Sequence, residues 1–354
     1  MIYETSNSNS YPFHPWRRYF ARTLDMLIYS IIWMVFLAFV FRVNVYNRSG
    51  IDSILDTLVE FIMMLFLEPL WLHMFGTTPG KLIFGLRIEN KEGEHLSYIE
   101  GLDRTFRVIG TGMGFNIPIY NYICLWKSYR MCIENEILPW DEYTSYAIKD
   151  TNWYRGCIYI FSYLVCFTVI AAIISSQLIP PNKGDLTVAE FTENYNYYSR
   201  ILDIDFGDKY LDKTGEWQNK KNDEHIIRIG LNKDPEFHFT TKDGYVTGIS
   251  FTVTAENNDN FVSSYHEHMF LSSLSFSCAQ NEMTLFSRIP KRIENTIKNN
   301  LFNDFSFTEA GINFVCTVEY SGYMNMQSDF MFPSNSEENY FSLKYTMNKA
   351  YCPQ

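Results

Sequence analysis

The stretch that decides much of this fold is Gly76-Thr77-Thr78-Pro79-Gly80-Lys81-Leu82-Ile83-Phe84-Gly85-Leu86-Arg87-Ile88. It follows directly after an apolar segment long enough to cross a bilayer, and it joins three glycines, a proline and two cations in one short loop. Glycine is favoured where the backbone turns sharply or lies close to another segment. Lysine and arginine mark the cytoplasmic side of membrane proteins. The stretch therefore predicts a tightly packed loop at the cytoplasmic edge of a membrane domain.

Three apolar runs surround this loop in the sequence, at residues 24–41, 54–75 and 157–179. Each approaches the roughly 20 residues that a helix needs to span a bilayer. The last run has no charged residue, whereas the second contains Asp56, Glu60 and Glu68. For that second run, a soluble amphipathic helix is the alternative interpretation.

A fourth segment, residues 108–126, is uncharged but contains three glycines and Pro118. Proline and glycine interrupt helices, and such breaks occur at membrane depth only where protein or water covers the backbone. The segment is thus predicted to be a full span, a broken helix or a re-entrant hairpin, with an ordinary straight helix the least favoured.

The charge distribution divides the chain in two. Residues 1–179 contain 14 basic and 16 acidic residues, whereas residues 180–354 contain 15 basic and 24 acidic residues. A net charge of −11 argues against nucleic-acid binding, which depends on clustered cations. We therefore predict a membrane domain at 1–150, a last transmembrane helix at 151–181 and a soluble domain at 182–354.

The sequence pattern of residues 182–354 predicts an α+β domain with an antiparallel sheet. Thr187-x-x-Glu190 is a capping box that opens a helix, and Lys242-Asp243-Gly244 separates two strand-like segments as a hairpin turn does. Residues 262–277 and 290–302 have helical spacing, and residues 311–320, 323–332 and 340–347 are typical of strands.

Three motifs resemble those of the RDD family of multi-pass membrane proteins, over about residues 15–150. The first is Arg18-Tyr19-Phe20-Ala21-Arg22-Thr23-Leu24-Asp25, which matches the family pattern R-x-x-A-R-x-x-D. The second is the loop quoted above. The third is Trp140-Asp141-Glu142-Tyr143-Thr144-Ser145-Tyr146-Ala147-Ile148, in which Tyr146 replaces the family's threonine.

Charged residues in or beside the spans are the candidate site, because an ionised side chain in a membrane is costly unless it is paired. We expect Asp25 to pair with Arg18 or Arg22 on its own helix, or with Lys81 or Arg87 of the loop. The ion-pair or ion-pathway candidates are Arg18, Asp25, Glu60, Glu68, Lys81, Arg87 and Asp141, and the loop motif is Gly76, Thr78, Pro79, Gly80 and Gly85.

Other chemistry finds little support in the sequence. Gly76 and Gly80 are too close for a P-loop, and Leu82 stands where a P-loop has a hydroxyl residue. No cysteine pair or zinc spacing occurs, so we predict no metal and no cofactor. The pair His266-x-His268 is interpreted as solvated.

The positive charges that precede the first span favour a cytoplasmic N-terminus. If residues 108–126 re-enter, the soluble domain lies outside the cytoplasm, and if they cross fully it returns inside. We favour the outside, with the sequon Asn47-Arg48-Ser49 in an outer loop. Labelling of Cys278, Cys316 and Cys352 by an impermeant thiol reagent is the expected test.

These observations predict a non-enzymatic integral membrane protein in which an anchoring, assembly or transport unit carries a soluble binding or sensing domain. The expected partners are the lipid bilayer and further copies of the chain, and the ligand of the soluble domain is unknown. The alternative, which the family resemblance implies, is a Na⁺(Li⁺)/H⁺ antiporter that uses the intramembrane carboxylates. An enzymatic soluble domain has no motif in its favour.

Overall fold

A computed structural model describes residues 14–45, 48–207, 209–219, 233–280, 283–325, 329–334 and 338–350. The chain forms two compact units, which divide between Ile173 and Ile174. Asn47 of the sequon and Cys352 lie outside the described residues.

The N-terminal unit is mainly helical, with one small antiparallel sheet. Its elements are α1 (Pro15–Phe36), α2 (Gly50–Phe75), α3 (Pro79–Ile83), β1 (Leu86–Asn90), α4 (Tyr98–Arg107), α5 (Pro118–Ile133), β2 (Thr144–Ile148) and α6 (Tyr154–Gln177). A π-helical turn at Leu37–Phe41 extends α1. β1 pairs with β2, and Ile88 lies opposite Tyr146.

Among the described residues, two helical segments are long and apolar enough to cross a membrane, at Pro15–Phe41 and Tyr154–Gln177. Helix α2 is also long, and it carries the carboxylates Asp52, Asp56, Glu60 and Glu68. The predicted count of three to four spanning or re-entrant segments is therefore not confirmed.

Residues 108–126 do not form a straight helix. A π-helical turn at Val108–Gly112 is followed by a 3-10 turn at Gly114–Asn116, and α5 begins only at Pro118. The predicted break is present because Gly114 takes a positive φ and Pro118 begins a new helix.

The glycine loop is folded by its own turn residues. Gly76 ends α2 at a φ of +67°, a conformation that glycine adopts without strain, and its N–H donates to the carbonyl of Leu72. Thr78 caps the N-terminus of α3, and Pro79 occupies the first helical position. Beyond the loop, Ser97 and Glu100 form a capping box that starts α4.

The C-terminal unit is built on a five-stranded antiparallel sheet, in the order β5-β6-β12-β9-β8. Its strands and helices are α7 (Val188–Ile201), β3 (Lys209–Leu211), β4 (Trp217–Asn219), β5 (His238–Lys242), β6 (Tyr245–Glu256), β7 (Val262–Ser263), α8 (His266–Ser277), α9 (Ile289–Lys298), β8 (Phe305–Glu309), β9 (Ile312–Ser321), β10 (Tyr323–Asn325), β11 (Phe330–Pro333) and β12 (Tyr340–Lys349). Inward-facing residues of β6, β9 and β12 form one core with α7, α8 and α9.

The predicted elements of this unit are largely confirmed. Thr187 and Glu190 form the capping box of α7, and Asp243-Gly244, both at positive φ, connect β5 to β6. Two predictions were wrong in detail. Residues 323–332 form two strands rather than one, and residues 262–277 begin with the short β7 before α8.

Apolar side chains cover much of the surface of the N-terminal unit. On α6, Phe161 is 68% exposed and Leu164 is 61% exposed, and α2 and α5 also carry many exposed apolar side chains. Contiguous apolar surface of this kind marks a membrane or protein interaction site.

Candidate functional site

Seven charged side chains meet in the N-terminal unit and form what we call the charged cluster: Arg18, Arg22, Asp25, Glu68, Lys81, Arg104 and Asp141. They come from α1, α2, α3, α4 and the segment before β2. The cluster contains four cations and three carboxylates, so it carries one positive charge in excess. Burial of so many charges requires close pairing among them.

Asp25 is almost fully buried and is held by the glycine loop. Its carboxylate accepts hydrogen bonds from the hydroxyl of Thr78 at 2.5 Å and from the backbone N–H of Gly80 at 2.7 Å. The Nζ of Lys81 lies 3.7 Å away. Of the four cations expected near Asp25, Lys81 is thus the one that forms an ion pair with it.

Gly80 permits this contact because α1 passes directly over it. A Cβ at this position would lie 2.1 Å from the carbonyl oxygen of Ala21 and 2.9 Å from Oδ1 of Asp25. The expectation of a close backbone approach at the loop is confirmed. Gly85 faces the guanidinium of Arg155, which donates to the carbonyls of Leu82 and Ile83 at the end of α3.

Glu68 lies at the centre of the cluster and is fully buried. It is bonded to Arg22, it accepts from the Nζ of Lys81 at 2.8 Å, and Arg104 Nη1 lies 3.6 Å away. Desolvation lowers the pKa of Lys81 to about 8, against the opposing effect of Glu68. The amine of Lys81 lies between the carboxylates of Glu68 and Asp25 and pairs with both.

Asp141 connects α1 to α4. It is bonded to Arg18, and it accepts from Arg104 Nη2 at 3.1 Å. Burial raises the pKa of Asp141, but the guanidinium groups of Arg18 and Arg104 lower it by more, so its pKa lies below the ordinary value. Asp141 therefore stays ionised throughout the neutral range.

Two predicted site residues lie outside the cluster. Glu60 accepts from the hydroxyl of Ser30, and within the described residues it has no ion-pair partner. Arg87 pairs with Glu89 on β1 at 2.8 Å and packs over Gly76. Arg87 was one of four alternative partners expected for Asp25, and in the structure it pairs with Glu89 instead.

Sequence reasoning did not place Arg104 in the site, and it considered Arg22 only as a partner of Asp25. Arg104 is 3% exposed and contacts both Glu68 and Asp141. The capping box Ser97-x-x-Glu100 was the available signal, since it predicts a helix that would carry Arg104 in its last turn.

A cavity of about 580 Å³ adjoins the cluster. Its charged lining consists of Arg18, Arg22, Lys81 and Arg104, and none of the acidic residues that the structure describes lines it. Most of the remaining lining is apolar or aromatic, including Trp126, Tyr129 and Trp140.

The C-terminal unit has a smaller cavity beside α8, of about 320 Å³. His268 lies there, buried, stacked on Phe206 and hydrogen-bonded to the hydroxyl of Tyr195 at 2.9 Å. The interpretation of His268 as solvated is therefore wrong. Within the described ranges, no group of three or more metal-ligating side chains occurs.

Cys278 and Cys316 also differ from expectation, because both are buried as free thiols. Cys316 packs against Met269 with its sulfur 3.8 Å from the thioether. Neither thiol can report which side of the membrane the unit occupies.

The N-terminal unit has two helices that are long and apolar enough to cross a membrane, and together with the buried charged cluster they point to a membrane protein. Residues 12–179 match the model of the RDD family, and we refer to this part of the chain as the RDD domain. The resemblance seen in the three sequence motifs is thereby confirmed. No curated protein and no solved structure matches the chain.

Proposed function

We propose that the RDD domain is a non-enzymatic membrane anchoring and assembly unit that carries the C-terminal unit as a binding or sensing module. The observation that carries this proposal is the pairing of Asp25, Glu68 and Asp141, each held by at least one cation of the cluster. Carboxylates held in this way stabilise one arrangement of the helices.

The cluster is suited to this role because its members come from separate segments. Glu68 on α2 contacts Arg22 on α1, Lys81 on α3 and Arg104 on α4. Removing one partner of a buried ion pair leaves an uncompensated charge and costs about 3–5 kcal/mol. The cluster therefore makes the docking of four segments interdependent.

The second candidate is a Na⁺(Li⁺)/H⁺ antiporter, and one observation favours it. Glu60, on the same helix as Glu68, is half-buried and has a hydroxyl rather than a cation as its described partner. A carboxylate without a fixed cation is available to exchange a proton for a metal cation. Such a pathway would need further copies of the chain, which we also propose as partners.

The experiment compares Asp25→Asn and Glu60→Gln with wild type, and measures protein abundance in membranes alongside Na⁺-driven proton flux in vesicles. Asp103→Asn, which changes an exposed carboxylate on α4, is the matched control. The anchoring proposal expects low abundance for Asp25→Asn and normal abundance for the other two variants.

Flux carried by wild type and lost in Glu60→Gln at normal abundance would favour the antiporter. Normal abundance of Asp25→Asn would contradict the anchoring role of the cluster, because the glycine loop would then pack on α1 without the carboxylate that Thr78 and Gly80 contact.

A further inference from the structure

We infer that the cavity beside the charged cluster binds the phosphate group of an anionic phospholipid, with the acyl chain along its aromatic wall. This inference rests on the proposed membrane location of the RDD domain. It adds a ligand and a binding site to that proposal.

The first observation is a set of buried donors without acceptors. Arg18 Nη1 and Arg104 Nε are buried and donate no hydrogen bond within the described residues, and Arg104 Nη1 has only the ion-pair contact with Glu68 at 3.6 Å. Both arginines line the cavity, and Arg104 is 3% exposed. Buried guanidinium donors left unpaired are costly, and an acceptor in the cavity would satisfy them.

The second observation is charge. The cluster has one positive charge in excess, and all four of its cations line the cavity while its three carboxylates do not. A single anion would make the cluster neutral. Guanidinium groups bind phosphate oxygens through paired N–H donors, which fits a phosphate better than a monatomic anion.

The third observation is the rest of the cavity lining, which is mostly apolar and aromatic and which we call the aromatic wall. Trp126 lines the cavity and is 65% exposed, and Trp16 and Tyr122 line it and are also exposed. Tryptophan and tyrosine at the rim are typical of side chains at the level of lipid headgroups. A free phosphate has no group to occupy this wall, whereas an acyl chain does.

The predicted cytoplasmic location of the four cations is consistent with an anionic lipid as the ligand. The cations belong to the loop and helix ends predicted to be cytoplasmic, and the cytoplasmic leaflet holds the anionic lipids that basic pockets bind.

The test uses the full chain purified in an uncharged detergent and titrated with phosphatidylglycerol, with phosphatidylcholine of the same acyl chains, or with inorganic phosphate. We expect phosphatidylglycerol to raise Tm by roughly 5 °C at saturation and to remain bound in native mass spectra. Phosphatidylcholine and inorganic phosphate should leave Tm unchanged.

Two variants test the cationic and the aromatic parts of the cavity lining. Arg104→Gln removes the excess charge and should abolish the shift, and Trp126→Ala should reduce it. The matched controls are Arg130→Gln and Trp153→Ala, which change exposed side chains outside the cavity lining and should retain the shift. If Arg104→Gln does not fold, Trp126→Ala against Trp153→Ala decides the question.

Equal shifts with phosphatidylglycerol and phosphatidylcholine would overturn the inference, as would equal shifts in Trp126→Ala and Trp153→Ala. A shift with inorganic phosphate as large as that with phosphatidylglycerol would make the ligand a free anion and overturn the lipid assignment. Alkaline carbonate extraction separates the two proposals. Release of wild type from membranes contradicts the membrane role itself, whereas retention without lipid preference contradicts the lipid site alone.

Discussion

The carboxylate of Asp25 on α1 accepts a 2.7 Å hydrogen bond from the backbone N–H of Gly80 on α3. These residues are 55 positions apart in the chain, and each belongs to a different RDD motif. Their contact explains why one motif needs a carboxylate and the other needs a residue without a side chain. Because α1 packs closely on the loop, the N–H of Gly80 reaches the carboxylate of Asp25, and no space remains for a Cβ at this position.

Gly80→Ala should destabilise the RDD domain by about 1–3 kcal/mol, the usual cost of overpacking. The new Cβ would lie 2.1 Å from the carbonyl of Ala21, which is backbone and cannot rotate away. Thermal unfolding in detergent measures the effect. Gly156→Ala is the control, since a Cβ there meets nothing within 4 Å. Equal Tm values for the two variants would show that α1 does not pack on the loop.

Glu68→Gln should reduce membrane abundance strongly, with a loss of about 3–5 kcal/mol in stability. The change leaves four cations against two carboxylates in a buried site. Glu60→Gln changes another carboxylate on the same helix, whose described partner is the hydroxyl of Ser30. This variant should reduce membrane abundance much less. Quantitative immunoblots of membrane fractions give the comparison, and similar losses for both variants would contradict a central role for Glu68.

Asp141→Asn should show a pH-dependent defect. The folded-state pKa of Asp141 lies below its ordinary value of 3.8, so its stabilising contribution is present above that value and is lost as the pH falls through the folded pKa. The difference in unfolding free energy between wild type and Asp141→Asn should thus be constant from pH 5 to 7. Below about pH 4 it should shrink.

The neighbouring exposed residue supplies the control for that series. Glu142→Gln changes a carboxylate that is mostly exposed and should leave stability nearly unchanged at every pH. A wild-type advantage over Asp141→Asn that grows towards acid pH would have the wrong sign for this ion pair.

Thr187→Ala should loosen the first turn of α7 by about 1 kcal/mol. The hydroxyl of Thr187 accepts from the N–H of Glu190, and the carboxylate of Glu190 accepts from the N–H of Thr187. Hydrogen exchange by mass spectrometry should show faster exchange at residues 188–191 and unchanged exchange in β12. Uniformly faster exchange throughout the unit would mean that the cap is not a local device.

The orientation of the C-terminal unit can be tested by a cysteine placed at the surface. Lys213→Cys, at an exposed turn between β3 and β4, should react with an impermeant thiol reagent on intact cells if the unit lies outside, as the sequence analysis favours. Cys157→Ser and Cys352→Ser remove competing thiols, and the buried Cys278 and Cys316 should stay silent until the protein is denatured. Labelling only after permeabilisation would place the unit inside.

Several features of the fold could be predicted because they depend on local sequence. The helix at Thr187, the turn at Asp243-Gly244 and the break near Pro118 each follow from the backbone preferences of a few adjacent residues. The glycine loop belongs to the same group, since Gly76, Thr78 and Pro79 specify a helix end and a new helix start.

The partners within the charged cluster could not be predicted in this way. Arg18 and Asp25 lie on one helix two turns apart, which favours pairing between them, yet Arg18 bonds to Asp141 and Asp25 to the loop. A buried charge pairs with whichever opposite charge the packing of helices brings within reach, and helix packing depends on contacts distant in sequence.

By itself, the sequence determined that the first half of the chain is helical with a tight glycine loop and that the second half is an antiparallel α+β unit, because periodicity and turn chemistry are local properties. The likeness to the RDD family was carried by the three motifs. Only the tertiary structure decided that Arg104 completes the cluster, that His268 is buried and that four cations face one cavity. Those facts depend on which surfaces meet, and burial converts the same side chains from solvated charges into paired or unsatisfied ones.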